Sequence, residues 1–274
     1  MGRIQFIEIH EQTWFPSSIR NEITDALQFG FKLLRVYSPI APRLQCALDS
    51  ARGKKIGAQE IVDMCSGGGG PWFDLALKLQ SQSSNGEKRD LQVWLTDKYP
   101  NQGAHKNLTS TFDHRITSYP RSVDAVNVPA ELPGFRTMFT AFHHFQEDDA
   151  RNILQSAVDA GEGIGIFEIT RRAPAAVGLV LAWVLLLFVC TPWIRPFRWS
   201  RLLWTFLVPI IPLVLLFDGI VSCLRTYRPC ELKYLVDKLS FNNYQWDVGE
   251  QRCGLGRPRI TYLIGYPPAL RSTD

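Results

Sequence analysis

Apolar positions recur at helical spacing over residues 17–35, where Ile19, Ile23, Ala26, Leu27 and Leu34 share one face and Ser17 or Ser18 is placed to cap the first turn. Trp14, Phe15 and Pro16 precede it as a stiff aromatic entry, readable as a lid over a ligand or as packing of the helix onto a sheet. Pro39 and Pro42 interrupt the period, and a short helix is expected at 43–51. From residue 59 the pattern changes. Gln59–Met64 reads as a buried strand, 65–70 as a Gly-rich turn, and Pro71 as the first position of a helix reaching about Gln80. A polar loop at 81–90 leads to a strand at Leu91–Leu95. Strands at 122–128, 136–142 and 163–169 enclose a helix at 148–160. This alternation predicts an α/β fold with a doubly wound, mostly parallel sheet.

Two apolar segments then interrupt the α/β pattern. The 22 residues from Ala173 to Ile194 carry no charge, enough for a helix to cross a bilayer core. The second, Leu202 to Phe217, has 16 uncharged residues and contains Pro209 and Pro212; it extends to Leu224 if Asp218 is tolerated. A helix over 229–239 and strands near 244–252 and 259–266 restore soluble character. Four units are therefore expected: an N-terminal helical cap (1–52), an α/β core (53–172), a membrane hairpin (173–224), and a C-terminal piece completing the core (225–274). Since the sheet is finished after the hairpin, both hairpin ends lie on one side. A two-pass hairpin is preferred to a re-entrant one, and a buried soluble hairpin is the remaining alternative.

Charge changes this picture little. Thirty basic and 26 acidic residues give +4, with no basic run suited to phosphates, so nucleic acid is not an expected partner. Arg195, Arg198 and Arg201 lie between the apolar segments, and Arg171, Arg172, Arg225, Arg228 and Lys233 flank them, leaning slightly toward an integral membrane protein whose core faces the cytoplasm. Six cysteines without a C-x-x-C pair, and an N-terminus without an apolar leader, argue against a disulfide scaffold or thiolate zinc site.

The Gly-rich turn discriminates among nucleotides. A dinucleotide fingerprint needs a third glycine for tight helix–strand packing, and here Trp72 and Phe73 occupy that position. No G-K-[ST] follows, which excludes a P-loop. A phosphate-free nucleoside remains. Asp97, ending the second strand, suits bidentate acceptance from ribose hydroxyls; Asp63 suits ordering of the loop or a water-mediated contact to a ligand ammonium; Asp124 suits acceptance from an adenine amino group.

Ile61-Val62-Asp63-Met64-Cys65-Ser66-Gly67-Gly68-Gly69-Gly70 resembles motif I of class I S-adenosylmethionine-dependent methyltransferases. Leu95-Thr96-Asp97 is similar to their motif II, Val123-Asp124-Ala125 to motif III, and Met138–Phe145 to the fourth strand. The resemblance implies a seven-stranded Rossmann-like sheet, S-adenosylmethionine as cofactor, and contacts from Asp63, Ser66, Gly67, Gly68, Gly69, Gly70, Asp97, Asp124 and Phe142. His143 and His144, at the end of the fourth strand, are candidate bases or acceptor-orienting groups between Phe142 and Phe145. A metal is not expected, because no Cys, Asp or Glu stands at supporting spacing from the two histidines. The expected partners are the membrane lipid bilayer and a small lipophilic acceptor, with no obligate protein partner. The alternative is a membrane-tethered, catalytically inactive scaffold that keeps the fold.

Overall fold

The computed structural model describes residues 2–52, 59–81, 90–240, 243–253 and 258–268. Nine α-helices and seven strands follow one another as α1 (Ser17–Leu34), α2 (Ala41–Arg52), β1 (Gln59–Met64), α3 (Trp72–Ser81), β2 (Leu91–Leu95), α4 (Gln102–Thr111), β3 (Ile116–Ser118), β4 (Phe135–Phe139), α5 (Glu147–Asp159), β5 (Ile164–Glu168), α6 (Pro174–Cys190), α7 (Trp199–Leu202), α8 (Ile210–Arg225), α9 (Pro229–Asp237), β6 (Gln245–Arg252) and β7 (Arg259–Tyr266) among the described residues. The loop expected at 81–90 lies mostly outside them.

The strands form one sheet in the order β3-β2-β1-β4-β5-β7-β6. It is mixed rather than mostly parallel: four pairings are parallel, while β5–β7 and β6–β7 are antiparallel. The reason is local. Strands β6 and β7 follow each other closely and pair as antiparallel neighbours, and β7 takes the interior place beside β5. Its run Ile260-Thr261-Tyr262-Leu263-Ile264 is buried throughout, as an interior strand requires.

Successive residues of each strand feed opposite layers. Ile61, Val93 and Phe135 join Leu44 and Leu48 of α2 and Trp72 and Leu75 of α3. Val62, Met138 and Ile164 join Ile153 and Leu154 of α5 and Leu232 and Leu235 of α9. A third core links Ile19, Ile23 and Ala26 of α1 to Val184 and Leu187 of α6 and to Ile211, Val214 and Leu215 of α8. Phe15 is buried in this third core, whereas Trp14 is exposed, so the aromatic entry packs the helix rather than covering a ligand.

Several local expectations are corrected. Helix α1 begins at Ser17 with Pro16 in the capping position and no side-chain cap, so neither serine has that role. Residues 122–128 are turns rather than a strand; the pairing with β2 is made by the three-residue β3. The fourth strand ends at Phe139, and Phe142–His144 form a single 3-10 turn.

Of the two apolar segments, one contains a helix long and apolar enough to cross a membrane, Pro174–Trp193, which includes the 3-10 turn after α6. The second is broken: Trp199–Leu207 and Ile210–Arg225 meet at 73°. Pro209 stands at the break, where its missing N–H ends the preceding hydrogen-bond ladder. The turn joining the segments folds back onto the α/β body. Arg201 donates to Asp25 of α1 at 2.6 Å with both side chains buried, Arg198 lies 3.6 Å from the same carboxylate, and Ser200 hydrogen-bonds Glu22. Helix α6 consequently lies along α1, and the indole of Trp183 passes so near Gly30 that an added Cβ would stand 2.8 Å from it.

Candidate functional site

A cavity of about 1140 Å³ opens beyond the carboxyl ends of β1, β2 and β4, where ligands sit in open α/β sheets. Its floor is the turn after β1. Cys65, Gly67, Gly69 and Gly70 all have positive φ, which coils the turn tightly. The glycines answer to different neighbours. A Cβ on Gly68 would stand 2.7 Å from the Thr24 carbonyl oxygen of α1, and one on Gly69 would fall 2.1 Å from Leu108 of α4. At Gly70 the nearest atom would be an Asp63 carboxylate oxygen at 3.9 Å. Gly68 and Gly69 therefore admit protein closely, while Gly67, Gly68 and Gly70 line the cavity. Gly69 combines φ +98° with a fully buried neighbour, so Gly69→Ala is expected to cost about 2–4 kcal/mol, read as a lowered chemical-denaturation midpoint.

Polar groups clamp this turn. Asp97 accepts from the Gly67 N–H at 2.7 Å through one oxygen and from the Tyr99 N–H at 2.7 Å through the other. Ser66 donates to the Asp63 carbonyl at 2.8 Å, and Thr96 donates to it from both N–H and hydroxyl. His105 of α4, which the sequence reading passed over, is fully buried and spans Gly67 O at 3.0 Å and Ser118 Oγ at 2.8 Å. Burial holds its pKa below the ordinary value, so a neutral imidazole donates to Gly67 and accepts from Ser118.

Asp63 is buried at the cavity floor and accepts from Thr137 Oγ1 at 2.7 Å. Burial pushes its carboxyl up to about 7, against the hydrogen bonds it receives. Asp124 borders the cavity on a turn, half-exposed, with its carboxylate on Lys98 at 3.2 Å and on the Val126 N–H. Phe142 differs from expectation. Its ring is fully buried with Phe145 and Tyr227 in the α5/α9 core, because the 3-10 turn after β4 rotates it away from the cavity.

The two histidines separate into different roles. His143 is buried between carboxylates, with Nδ1 2.8 Å from Glu168 and Nε2 3.5 Å from Glu8. Burial alone would lower its pKa, but Glu168 and Glu8 override it and raise it to about 10. His143 is thus a structural imidazolium at neutral pH, with no lone pair to take a proton. His144 is partly exposed on the cavity wall, with Nδ1 against Glu11. Arg225 of α8 binds Glu8 at 3.3 Å, Glu11 at 2.9 Å and the carbonyls of both histidines. His10 Nδ1 meets Asp218 of α8 at 2.8 Å. Glu8, His10 and Glu11 come from the N-terminal segment, which crosses the cavity mouth; no periodic signal marked them.

No family model matches the sequence, and no curated protein does. Solved structures do. A plantazolicin methyltransferase in complex with SAH is similar over 94% of this chain and 94% of its own, with a TM-score of 0.56 at 9% identity. Human N-acetylserotonin methyltransferase in complex with SAM is similar over 92% of this chain and 58% of its own, at 0.49 and 15%. A putative S-adenosyl-L-methionine-dependent methyltransferase from Methanococcus maripaludis is similar over 92% of each chain, at 0.48 and 14%. The first of these shows the fold, that of class I S-adenosylmethionine-dependent methyltransferases, and at 9% identity the likeness is one of architecture.

Proposed function

We propose that the protein transfers a methyl group from S-adenosylmethionine to a small lipophilic acceptor taken from a membrane surface. One observation carries the reading: the cavity floored by Gly67, Gly70 and Asp97 is continuous with a wall of Leu179, Trp183 and Leu186 from the apolar helix α6. Each Asp97 oxygen accepts one backbone N–H and keeps acceptor capacity for a ribose hydroxyl. Gly70 leaves room beside Asp63 for a ligand to approach the backbone. The residues present therefore fit the cofactor. When bound, S-adenosylmethionine supplies an electrophilic methyl carbon on a sulfonium. An acceptor's lone pair would take that methyl group, the carbon–sulfur electron pair remaining on sulfur. What the chain contributes is mainly alignment within a water-poor cavity. Where the acceptor must lose a proton, the His144–Glu11 pair stands on the wall to receive it.

The membrane reading is supported by the outer face of the apolar segments. Leu185, Val189, Trp193 and Trp199 are 61–77% exposed, forming an apolar strip edged by indoles and by Arg195. Both ends of the hairpin and, through Asp25–Arg201, its turn are tied to one body. This favours a hairpin lying within one leaflet over two crossings, with the cavity mouth beside the lipid. A protein so placed meets acceptors dissolved in the bilayer.

The test uses the detergent-purified full chain, methyl-labelled S-adenosylmethionine and a total membrane lipid extract. Label is expected in an organic-soluble product. Label confined to protein or to water-soluble products rejects the lipophilic acceptor, and no uptake of S-adenosylhomocysteine in calorimetry rejects methyl transfer itself.

A further inference from the structure

At the cavity mouth, Glu8 and His10 of the N-terminal segment meet His144 from the turn after β4, and one ligand-competent atom from each lies within 4.8 Å of the others. The Nδ1 atoms of His10 and His144 each stand 3.7 Å from an oxygen of Glu8. A tetrahedral zinc ion with bonds of about 2.0–2.2 Å separates its ligands by roughly 3.3–3.6 Å, so small side-chain rotations close the set. We infer that Glu8, His10 and His144 form a binding site for a divalent transition metal, zinc or a close relative, at the acceptor end of the cavity.

Four features support this assignment. Two imidazoles and one carboxylate are the donor set that borderline divalent ions prefer, and that magnesium and calcium do not. Three protein ligands leave a position open, and all three residues line the cavity, so that position faces the space an acceptor would fill. Asp218 and Glu11 contact the same Nδ1 atoms, so as those nitrogens turn to the ion the two carboxylates are left beside it, placed to accept from metal-bound water. Finally, the site is anchored: Ser222 donates to Glu8 at 3.0 Å, and Asp218 accepts the backbone N–H groups of Ile9 and His10, holding the segment on α8. Arg225 balances part of the local negative charge from the Glu8 Oε1 side, while Oε2 turns toward His10.

An ion there would polarise the heteroatom of a bound acceptor and ease its deprotonation. In that case His144 is a ligand rather than a base. The inference goes beyond the methyl-transfer reading and is measured without cofactor, so either can fail while the other stands.

The experiment dialyses the chelator-stripped full chain against Zn²⁺ and, separately, Co²⁺, then measures metal by mass spectrometry and records the visible spectrum of the cobalt form. About one equivalent per chain is expected, with cobalt absorption bands typical of low coordination number and a Tm raised by Zn²⁺. His10→Ala and His144→Ala should each abolish binding and the Tm increase. Glu8→Gln, which keeps the side-chain shape, should weaken binding at least tenfold. Circular dichroism and cooperative unfolding verify that each variant is folded; should an alanine variant not fold, Glu8→Gln decides. Sub-stoichiometric metal in the wild type, or stoichiometric metal unaffected by these substitutions, overturns the assignment. Because His10 has no part in the proton-accepting role of His144, turnover that Zn²⁺ restores to the chelator-stripped wild type but not to His10→Ala separates ligand from base.

Discussion

Glu168→Ala is expected to destabilise the protein by about 3–5 kcal/mol, the range found when one partner of a buried ion pair is removed. Glu168 is buried and accepts from the N–H of Phe142 at 2.6 Å, the N–H of His143 at 3.2 Å, His143 Nδ1 at 2.8 Å and Thr170 Oγ1 at 3.2 Å. Truncation leaves a buried imidazolium facing only Glu8 and orphans the backbone donors that shape the turn after β4. The substitution also carries a pH signature. Folding raises the His143 pKa from 6.5 to about 10, so its pairing stabilises fully below about pH 6.5 and is lost as pH rises through 10. Glu168 has the opposite sign: His143 holds its pKa below the ordinary value despite burial, so its share is present above about pH 4.5 and is lost on acidification. The difference in unfolding free energy between wild type and Glu168→Gln should therefore be largest between about pH 4.5 and 6.5 and shrink toward pH 10. Asp63, whose raised pKa also erodes stability from about pH 4 to 7, cancels in that difference. Denaturant titrations at several pH values measure it; a difference independent of pH would show that His143 is not held as an imidazolium.

The parts of the fold legible in the sequence were those whose burial is set by chain-local pattern. The runs at Gln59–Met64, Leu91–Leu95 and Arg259–Tyr266 are continuous or alternating apolar stretches, and each forms a strand with those bounds. Helix α4 escaped notice because only Ala104, His105 and Leu108 are buried along it, and its start depends on Asn101 accepting from the Ala104 N–H. Strand β3 is three residues long, too short for alternation to register. At the site, the Gly-rich turn and Asp97 were visible because strand, turn and acid follow in order. The Glu8–Glu11 segment was not, since its partners His143, Asp218 and Arg225 lie more than 130 residues away and only the fold unites them. Phe142 was expected at the site on the resemblance and on a fourth strand reaching residue 142; the backbone leaves the strand at Phe139, and the 3-10 turn that follows places the ring in the α5/α9 core.

Asp97→Ala is expected to weaken binding of S-adenosylhomocysteine at least about 100-fold while leaving a cooperatively folded protein. Two hydrogen bonds from ribose hydroxyls to a carboxylate contribute roughly 1.5–3 kcal/mol each, and losing both exceeds the 2.7 kcal/mol that corresponds to a factor of about 100. The side chain sits at the end of β2, at the cavity edge, so truncation opens no core void. Two losses must nevertheless be separated, because Asp97 also accepts from Gly67 and shapes the turn that receives the ligand. Asp97→Asn distinguishes them: one carbonyl oxygen can keep the Gly67 bond, while the amide nitrogen donates and cannot accept. Within the protein the asparagine variant gives up only the Tyr99 N–H bond, so it should lose no more than about 1 kcal/mol of stability. If the carboxylate contacts the ligand directly, that variant should still lose at least about tenfold in affinity, with the loss carried mainly by the dissociation rate. Isothermal titration calorimetry on the two variants decides the matter. Wild-type affinity in both would remove Asp97 from the ligand site, and loss in the alanine variant alone would reduce it to a support for the glycine turn.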